Sequence, residues 1–451
     1  MIKSFRMSKT FGRILMNWEK KYADKIVSVK EAINYIRPGD TIHSTMFSSV
    51  PYALFKELTK QKDRLSDVNI YMGFGGRLYR PLANFYNGHV NINSMFFGPA
   101  ERIFKYKMGS KINYQILQLS QSFDDRANYH KADVIMMAAT PPDENGDMSF
   151  GLIPIDTELC HMARNVIVQV NRNIPFIRGI DNMINIRDVT CVVDKTERLC
   201  VIDEKAPNES DIKIAELIAE RIPDGACLQF GIGGLSTAMG KACRDKKHLG
   251  IHTEMFVESM IDLIKCGAVD NSMKSIDRGI TTFGFAMGSK KMNRFLDRNP
   301  ECESRRFSYS NNPYIIAQND NVISVNSAMQ VDITGQVAAE GIGFKQHSGI
   351  GGQLDFVRGS QMSKGGHSYI AFNSLWFDKL GKPHSKIVIS HPAGTAVTTP
   401  RAEVEYIATE YGIADLKYQT LEERAKRLIA IAHPDFRDEL TYEAKKYGLI
   451  I

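Results

Sequence analysis

The segment LGIHTEMFVESMID, residues 249–262, decides how the chain is interpreted. Residues 249–251 predict a short strand, and apolar side chains at helical spacing over residues 256–264 predict a helix. Glu254 is therefore expected where a strand hands over to a helix. Because open α/β sheets place their chemistry at the carboxyl ends of strands, this position makes Glu254 a candidate functional residue.

Glu254 has two interpretations at such a position. Its carboxylate can attack an activated carbonyl directly and carry the acyl group as a covalent adduct, without a metal or a histidine. Alternatively, Thr253 is the N-cap of the helix and Glu254 is an acid in the first turn, where the helix dipole favours a negative charge. The segment alone leaves both interpretations open.

Length and composition limit the class of protein. With 451 residues the chain is too long for one core and predicts two or more domains. The net charge of +6 is spread in mixed-sign runs without an aromatic-interleaved basic stripe, which argues against nucleic acid as a partner. The longest apolar run, near Val134–Ala139, is far shorter than a membrane span needs.

Cysteine and histidine usage predicts reduced thiols and no metal site. The seven cysteines form no CxxC pair, and the histidines form no HExxH or HxH pattern. We therefore expect a cytoplasmic protein. The basic N-terminus, Met1–Trp18, keeps import into a mitochondrion or related organelle as a lesser alternative.

Pattern repetition predicts two domains of similar α/β architecture. Residues 36–58 and 222–243 both show a helix, a turn rich in Pro, Gly and Asp, a strand, a small-residue loop and a helix. The polar segment 201–211 predicts the boundary between the domains. The expected division is a basic N-terminal extension (1–18), an N-terminal α/β domain (19–205) and a C-terminal α/β domain carrying Glu254 (206–451).

Strand-like runs alternate with helical stretches in both halves, which predicts βαβ units and largely parallel sheets. The runs are Val68–Phe74, Ala132–Thr140 and Asn165–Val170 in the first half, and LQFGIG (228–233), GIHTE (250–254), NVISVN (321–326), SYIAFN (368–373) and KIVIS (386–390) in the second.

Three glycine loops could place backbone N–H groups against an anion: GFGG (73–76), GIGG (231–234) and GIGG (349–352). None completes GxGxxG, which argues against a dinucleotide site. Tight strand-to-helix turns remain the alternative for each loop. Asn326 is predicted at a strand end, where its amide could orient a carboxylate or simply form a turn.

Seven segments in one order resemble the class I coenzyme A-transferases of the acetyl-CoA hydrolase/transferase family, and are most similar to 4-hydroxybutyrate and butyryl-CoA:acetate CoA-transferases. The resemblance covers about residues 17–447. The segments are TPPDENGDMSFG (140–151), GACLQFGIGG (225–234), LGIHTEM (249–255), KSIDRG (274–279), KQHSGIGGQLDFVRGS (345–360), VTTPRAEVEYIATEYGIADL (397–416) and RLIAIAHPDFRDEL (427–440).

This resemblance implies two similar open α/β domains with the active site at their interface and coenzyme A (CoA) held between them. It implies a ping-pong transfer of CoA between an acyl-CoA and a small carboxylate, with CoA bound covalently in the intermediate and no further cofactor. Nucleic acid and membranes are not implied as partners, whereas a homo-oligomer, dimer or larger, is.

The resemblance also assigns residues. Glu254 matches the nucleophile and Asn326 the residue that positions it. The CoA-binding and oxyanion positions are Gly231, Ile232, Gly233, Gly234, Leu235, Met329, Gly349, Gly351, Gly352 and Lys379. Ser236 departs from the proline usual in relatives, and the segment Leu375–Lys382 is irregular.

Two other functions fit the same residues. A hydrolase would use water as the acceptor on the same scaffold, and the sequence does not distinguish it from a transferase. A non-catalytic ligand sensor is a further alternative, because this architecture also hosts binding proteins. The acyl chain that the protein accepts is not specified by these motifs.

Overall fold

Two β-sheets organise the chain, which the computed structural model describes over residues 18–76 and 89–451. Residues 1–17 of the predicted basic extension lie outside the described part. The first sheet contains β1 (Thr41–Ser44), β2 (Val68–Met72), β3 (Val90–Ser94), β4 (Ile112–Tyr114), β5 (Val134–Ala139), β6 (Asn165–Val170) and β7 (Cys191–Asp194). The second contains β8 (Cys227–Phe230), β9 (Gly250–Phe256), β10 (Thr281–Ala286), β11 (Cys302–Ser304), β12 (Val322–Asn326), β13 (His367–Ala371), β14 (Tyr406–Thr409) and β15 (Gly412–Asp415).

In both sheets, the order in which the chain adds strands reverses at a central strand. The first has the order β4-β3-β2-β1-β5-β6-β7 with every pair parallel. The second has the order β11-β10-β9-β8-β12-β13-β14-β15, parallel except for the β14–β15 pair. Such switch points, at β1 and β8, open a crevice at the carboxyl ends of the strands, where ligands bind in this class of fold.

Helices follow most strands and cover the sheets. The two eleven-residue helices begin with capping groups: Asn208 and Asp211 form a capping box, and the Thr420 side chain accepts from the backbone N–H of Glu423. Within residues 18–76 and 89–451, the α-helices of four or more residues are Trp18–Lys21, Val29–Ile33, Tyr52–Lys60, Pro99–Met108, Thr157–Met162, Glu209–Ala219, Gly234–Ala242, Glu258–Lys265, Lys290–Leu296, Phe307–Ser310, Pro313–Ile316, Gln353–Met362, Leu421–Ile431 and Pro434–Lys446. Among the described residues, no helix is long and apolar enough to cross a membrane.

A buried apolar cluster joins the two sheets. It contains Met46, Phe74 and Met95 from the first half together with Met255 and Phe307 from the second. The segment 195–208 between the sheets has no helix or strand, and the boundary predicted at residue 205 falls within it. The carboxyl ends of β1, β2 and β3 therefore pack against the neighbourhood of β9, which carries Glu254.

The mixed α/β class with parallel sheets is confirmed, but one predicted strand is misplaced. The run KIVIS contributes only Ile387–Val388, which pairs with Gln330–Asp332 in a separate three-stranded sheet. The place beside β13 is taken by β14. The error arises because a short apolar run indicates burial without specifying the sheet that it joins.

Candidate active site

Glu254 lies inside β9, two residues before the strand ends at Phe256. It is the one half-buried residue of a strand that is otherwise buried and is flanked by β8 and β10. The following helix, Glu258–Lys265, has Val257 at its N-cap, and the Thr253 hydroxyl donates to the Met255 carbonyl instead of capping. The helix-capping interpretation of Thr253 and Glu254 is therefore wrong.

Asn311 holds the carboxylate of Glu254. Its side-chain Nδ2 donates to Glu254 Oε2 at 2.8 Å, and its Oδ1 accepts from the Ser310 hydroxyl at 2.8 Å. Asn311 is fully buried at the end of the short helix Phe307–Ser310. Because both ends of the amide are engaged, its orientation is set, and the donor faces the carboxylate.

The glycine loop 349–352 forms the opposite wall. A Cβ atom built on Gly352 would lie 2.2 Å from Glu254 Oε2 and 2.0 Å from Asn311 Nδ2, whereas one on Gly351 would lie 3.7 Å from Glu254 Oε1. Gly351 has φ +62°, a left-handed conformation that glycine adopts freely. Only glycine at position 352 therefore lets the backbone approach the carboxylate this closely.

The end of β4 and the residues just after it brace this loop. Leu119 donates its backbone N–H to the Gly351 carbonyl at 3.3 Å, and Ile350 donates its N–H to the Tyr114 hydroxyl at 3.1 Å. The Ser120 hydroxyl donates to Asp355 at 2.7 Å, at the start of the helix that follows the loop. The two halves of the chain thus fix the loop against Glu254 before any ligand binds.

Burial raises the pKa of Glu254 to about 7, and the nearby Asp355 carboxylate adds to the rise. The Asn311 hydrogen bond and the Gly352 backbone oppose it by stabilising the ionised form. Burial likewise raises the pKa of Asp355 to about 6. Glu254 is thus poised to change charge near neutral pH, which is typical of a group that reacts.

The second glycine loop lies directly after β8, the neighbour of β9. Gly233 has φ +108° at the N-cap of the helix Gly234–Ala242, and a Cβ on Gly234 would lie 2.3 Å from Asp211 Oδ2. Ile232 is 51% exposed at the tip, and Leu235 is half-buried in the first turn. The two glycines therefore allow a tight strand-to-helix turn whose tip is open to solvent.

Ser236, the departure from the family pattern, is accommodated inside that helix. Its hydroxyl lies 3.4 Å from the Ser259 hydroxyl, in the helix that follows β9. This contact ties the glycine loop to the strand that carries Glu254.

The position predicted for the orienting amide requires a correction. Asn326 lies at the end of β12, as expected, but its amide exchanges hydrogen bonds of 3.3 and 3.4 Å with the amide of Gln229. The amide that reaches Glu254 is that of Asn311. Sequence reasoning missed Asn311 because the run SNNP predicts only turns and caps, and Asn312 does cap the next helix.

The other two residues predicted to bind CoA, Met329 and Lys379, lie in a loop and in the turn of a hairpin. Met329 is half-buried, with its backbone N–H bonded to the Ala338 carbonyl. Lys379 is exposed in the turn of a hairpin formed by Leu375–Phe377 and Pro383–Ser385. Neither has a hydrogen bond to Glu254 among the described contacts, so their roles in binding CoA stay predictions.

The described residues contain no set of side chains that could bind a metal ion. Over residues 18–76 and 89–451, no group of three or more His, Cys, Asp or Glu side chains could hold an ion.

Comparison with known proteins matches nearly the whole chain to enzymes that act on acyl-CoA. Family models of the acetyl-CoA hydrolase/transferase N-terminal and C-terminal domains match residues 12–203 and 288–444. Butyryl-CoA:acetate CoA-transferase of Anaerostipes caccae is 38% identical over 96% of this chain and 98% of its own length. 4-Hydroxybutyrate coenzyme A transferase of Clostridium kluyveri is 36% identical over 96% of this chain and 100% of its own length.

Solved structures agree in fold. The crystal structure of RipA from Yersinia pestis superimposes with a TM-score of 0.88 at 36% identity and covers 96% of this chain and 100% of RipA.

The acetyl-CoA hydrolase of Yarrowia lipolytica is more distant, at 26% identity over 68% of this chain and 64% of its own length.

Proposed function

Because the chain belongs to the acetyl-CoA hydrolase/transferase family, we propose that it transfers CoA between a short-chain acyl-CoA and a carboxylate acceptor such as acetate. The acyl group is of the butyryl or 4-hydroxybutyryl type. The observation that carries the proposal is the Glu254 carboxylate, held by Asn311 against the glycine loop 349–352.

Glu254 is the nucleophile in this proposal. Its Oε2 accepts from Asn311, and Oε1, which faces Gly351, is the oxygen that we assign to the attack. Attack on the thioester carbonyl forms a C–O bond and breaks the C–S bond, giving a mixed anhydride and CoA thiolate. The thiolate then attacks the Glu254 carbonyl carbon and releases the acyl group as its carboxylate, leaving a glutamyl-CoA thioester. An acceptor carboxylate reverses both steps.

Each attack passes through a tetrahedral oxyanion that needs donors aimed in advance. The backbone of residues 349–352 lies against both carboxylate oxygens and is held from the first-sheet side by Tyr114 and Leu119. One such donor lowers the activation barrier by on the order of 3 kcal/mol, because no reorganisation is needed at the moment of reaction. The glycine loop 231–234 is proposed to hold CoA, whose remote contacts can supply further energy to the transition state.

CoA is the only cofactor in this scheme, and it enters as a substrate. Location in the cytoplasm and assembly as a dimer or larger homo-oligomer stay predictions from the sequence.

Hydrolysis on the same scaffold is the competing activity. The greater similarity to transferases, 38% identity against 26% for a hydrolase, favours transfer. The products formed from butyryl-CoA with and without acetate separate the two: a transferase forms acetyl-CoA only when acetate is present and releases no free CoA, whereas a hydrolase releases free CoA without acetate.

A trapping experiment tests the proposal. Enzyme mixed with butyryl-CoA without an acceptor should gain the mass of one CoA less one water, and borohydride should reduce the thioester to an alcohol at Glu254 and inactivate the enzyme. Acetate added first should discharge the adduct and protect activity. Glu254→Gln keeps the side-chain size and should form no adduct. Peptide mass spectrometry that finds the adduct on another residue would overturn the assignment.

A further inference from the structure

Two side chains of β9 hold the end of the same short helix. His252 and Glu254 are two residues apart in the strand, so both project from one face of the sheet. The ring nitrogen Nε2 of His252 lies 2.9 Å from the Ser310 carbonyl oxygen. The Glu254 carboxylate accepts from Asn311, which directly follows Ser310. The end of the helix Phe307–Ser310 is therefore fixed to β9 at two consecutive positions of that face.

The imidazole of His252 is a neutral hydrogen-bond donor. A carbonyl oxygen only accepts, so the contact with Ser310 requires the proton on Nε2. Burial lowers the pKa of His252 to about 4, the positive charges of Lys274 and Arg305 add to this fall, and Asp277 opposes it. The ring therefore stays uncharged at neutral pH. In the described part of the chain Nδ1 has no hydrogen-bond partner, so the ring is held through Nε2.

Ser310 sets the orientation of the Asn311 amide. Its hydroxyl donates to Asn311 Oδ1 at 2.8 Å, which leaves Nδ2 directed at Glu254 Oε2. Gly284 of β10 makes room for this hydroxyl, since a Cβ atom there would lie 2.7 Å from Ser310 Oγ. Without the hydroxyl the amide would be free to turn over and bring its oxygen to the carboxylate, where two acceptors repel each other.

We propose that His252 is a positioning residue of the transfer reaction. Its Nε2–H holds the Ser310 carbonyl, so that the Ser310 hydroxyl and the Asn311 amide keep one donor aimed at the nucleophile. The inference rests on the proposed function, because it needs Glu254 as the reacting group. His252 acts through Ser310 and Asn311 and is not required to touch the substrate.

His252→Phe removes the donor and keeps a ring beside Tyr309 and Phe356, whose ring centroids lie 6.3 and 6.4 Å from that of His252. In transfer from butyryl-CoA to acetate, kcat should fall about tenfold with little change in KM, because the carboxylate loses its alignment while the surfaces that bind CoA are untouched. His252→Gln carries an amide N–H near the place of Nε2 and should restore most of kcat.

The pH profile separates positioning from a general loss of structure. The Asn311 hydrogen bond lowers the pKa of Glu254, against burial and the charge of Asp355, which raise it. Displacing Asn311 should therefore raise that pKa and move the acid limb of kcat/KM to higher pH, in His252→Phe and in Ser310→Ala. Because His252 is already neutral at these pH values, its own titration does not produce the shift.

His43→Phe is the matched control. His43 lies in β1 and is fully buried, and its Nε2 is likewise bonded to a backbone carbonyl, that of His130. Its Nδ1 also has no partner among the described residues. The substitution removes the same kind of hydrogen bond away from Glu254, so it should lower the thermal unfolding temperature by a similar amount and leave kcat and the acid limb unchanged.

A double-mutant cycle decides whether His252 acts through Asn311. In Asn311→Ala there is no amide left to aim, so adding His252→Phe should lower kcat by less than about twofold more. If His252→Phe does not fold, His252→Leu, which also lacks the donor and is smaller, takes its place.

The outcomes separate this inference from the proposed function. Equal fold losses from His252→Phe in the two backgrounds, or an acid limb that stays in place, would overturn the inference and leave CoA transfer standing. A kcat in His43→Phe as low as that in His252→Phe would also overturn it, because any buried histidine would then have the same effect. Absence of transfer in the wild-type enzyme would instead refute the proposed function.

Discussion

Replacing Gly352 by alanine should disable the proposed nucleophile while the fold persists. The new methyl group would lie 2.2 Å from Glu254 Oε2 and 2.0 Å from Asn311 Nδ2, against 3.4–4 Å for ordinary contact. Both groups must retreat by more than about 1 Å, and a displacement of that size in a reacting group costs on the order of 100-fold in rate. We therefore expect kcat to fall about 100-fold or more.

Stability should change much less than activity. Overpacking of this kind costs about 1–3 kcal/mol, which a chain of this size tolerates. Gly351→Ala is the control within the same loop, because its methyl group would meet Glu254 Oε1 at 3.7 Å, an ordinary contact, although φ +62° makes the backbone unfavourable. Its kcat should fall at least about tenfold less than that of Gly352→Ala, since the carboxylate keeps its place.

The assay is steady-state transfer from butyryl-CoA to acetate, with thermal unfolding measured on the same preparations. A normal kcat in Gly352→Ala, or equal losses in the two variants, would refute the reasoning. Equal losses would show that the conformation of the loop, and not contact with the carboxylate, controls the rate.

Four further predictions concern the same site. Because the ionised carboxylate attacks and its pKa is raised to about 7, kcat/KM for acyl-CoA should fall about tenfold per pH unit below that value. Asp355→Asn removes a neighbouring negative charge and should move this acid limb to lower pH, whereas Asn311→Ala removes a stabilising donor and should move it higher; limbs that stay in place would contradict these causes. Asn311→Ala should lower kcat more than Asn326→Ala, whose amide pairs with Gln229, and the reverse order would restore Asn326 as the orienting residue. Activity should survive EDTA, and a loss that a divalent ion restores would disprove metal independence.

The strands were predictable because the buried residues of each strand are adjacent in the sequence. β5 is a continuous apolar run of six residues, β6 carries four valine or isoleucine side chains in six residues, and the observed bounds match the predicted runs within two residues at either end. Such runs leave few alternatives to a strand buried on both faces. Glu254 lies in a strand whose other residues are buried, and an acid inside a buried strand is uncommon enough to mark its position as a candidate site.

The partners of Glu254 were not predictable in this way. Asn311 lies 57 residues away in sequence and reaches the carboxylate only because a four-residue helix ends against β9. A contact between two distant positions depends on how the sheets pack, and no spacing rule along one chain encodes it.

The electrostatics of Glu254 bear on how far each step of the proposed reaction proceeds. Burial destabilises the free carboxylate, and the charge of Asp355 destabilises it further. In the glutamyl-CoA thioester the side chain is neutral, so both unfavourable interactions disappear when the covalent bond forms. When the bond forms, the Asn311 amide loses a charged hydrogen-bond acceptor. This loss reduces the stabilisation of the thioester relative to the free carboxylate and keeps the return step accessible. The surroundings that raise the pKa of Glu254 therefore favour the covalent intermediate, and the single hydrogen bond from Asn311 opposes its becoming a trap.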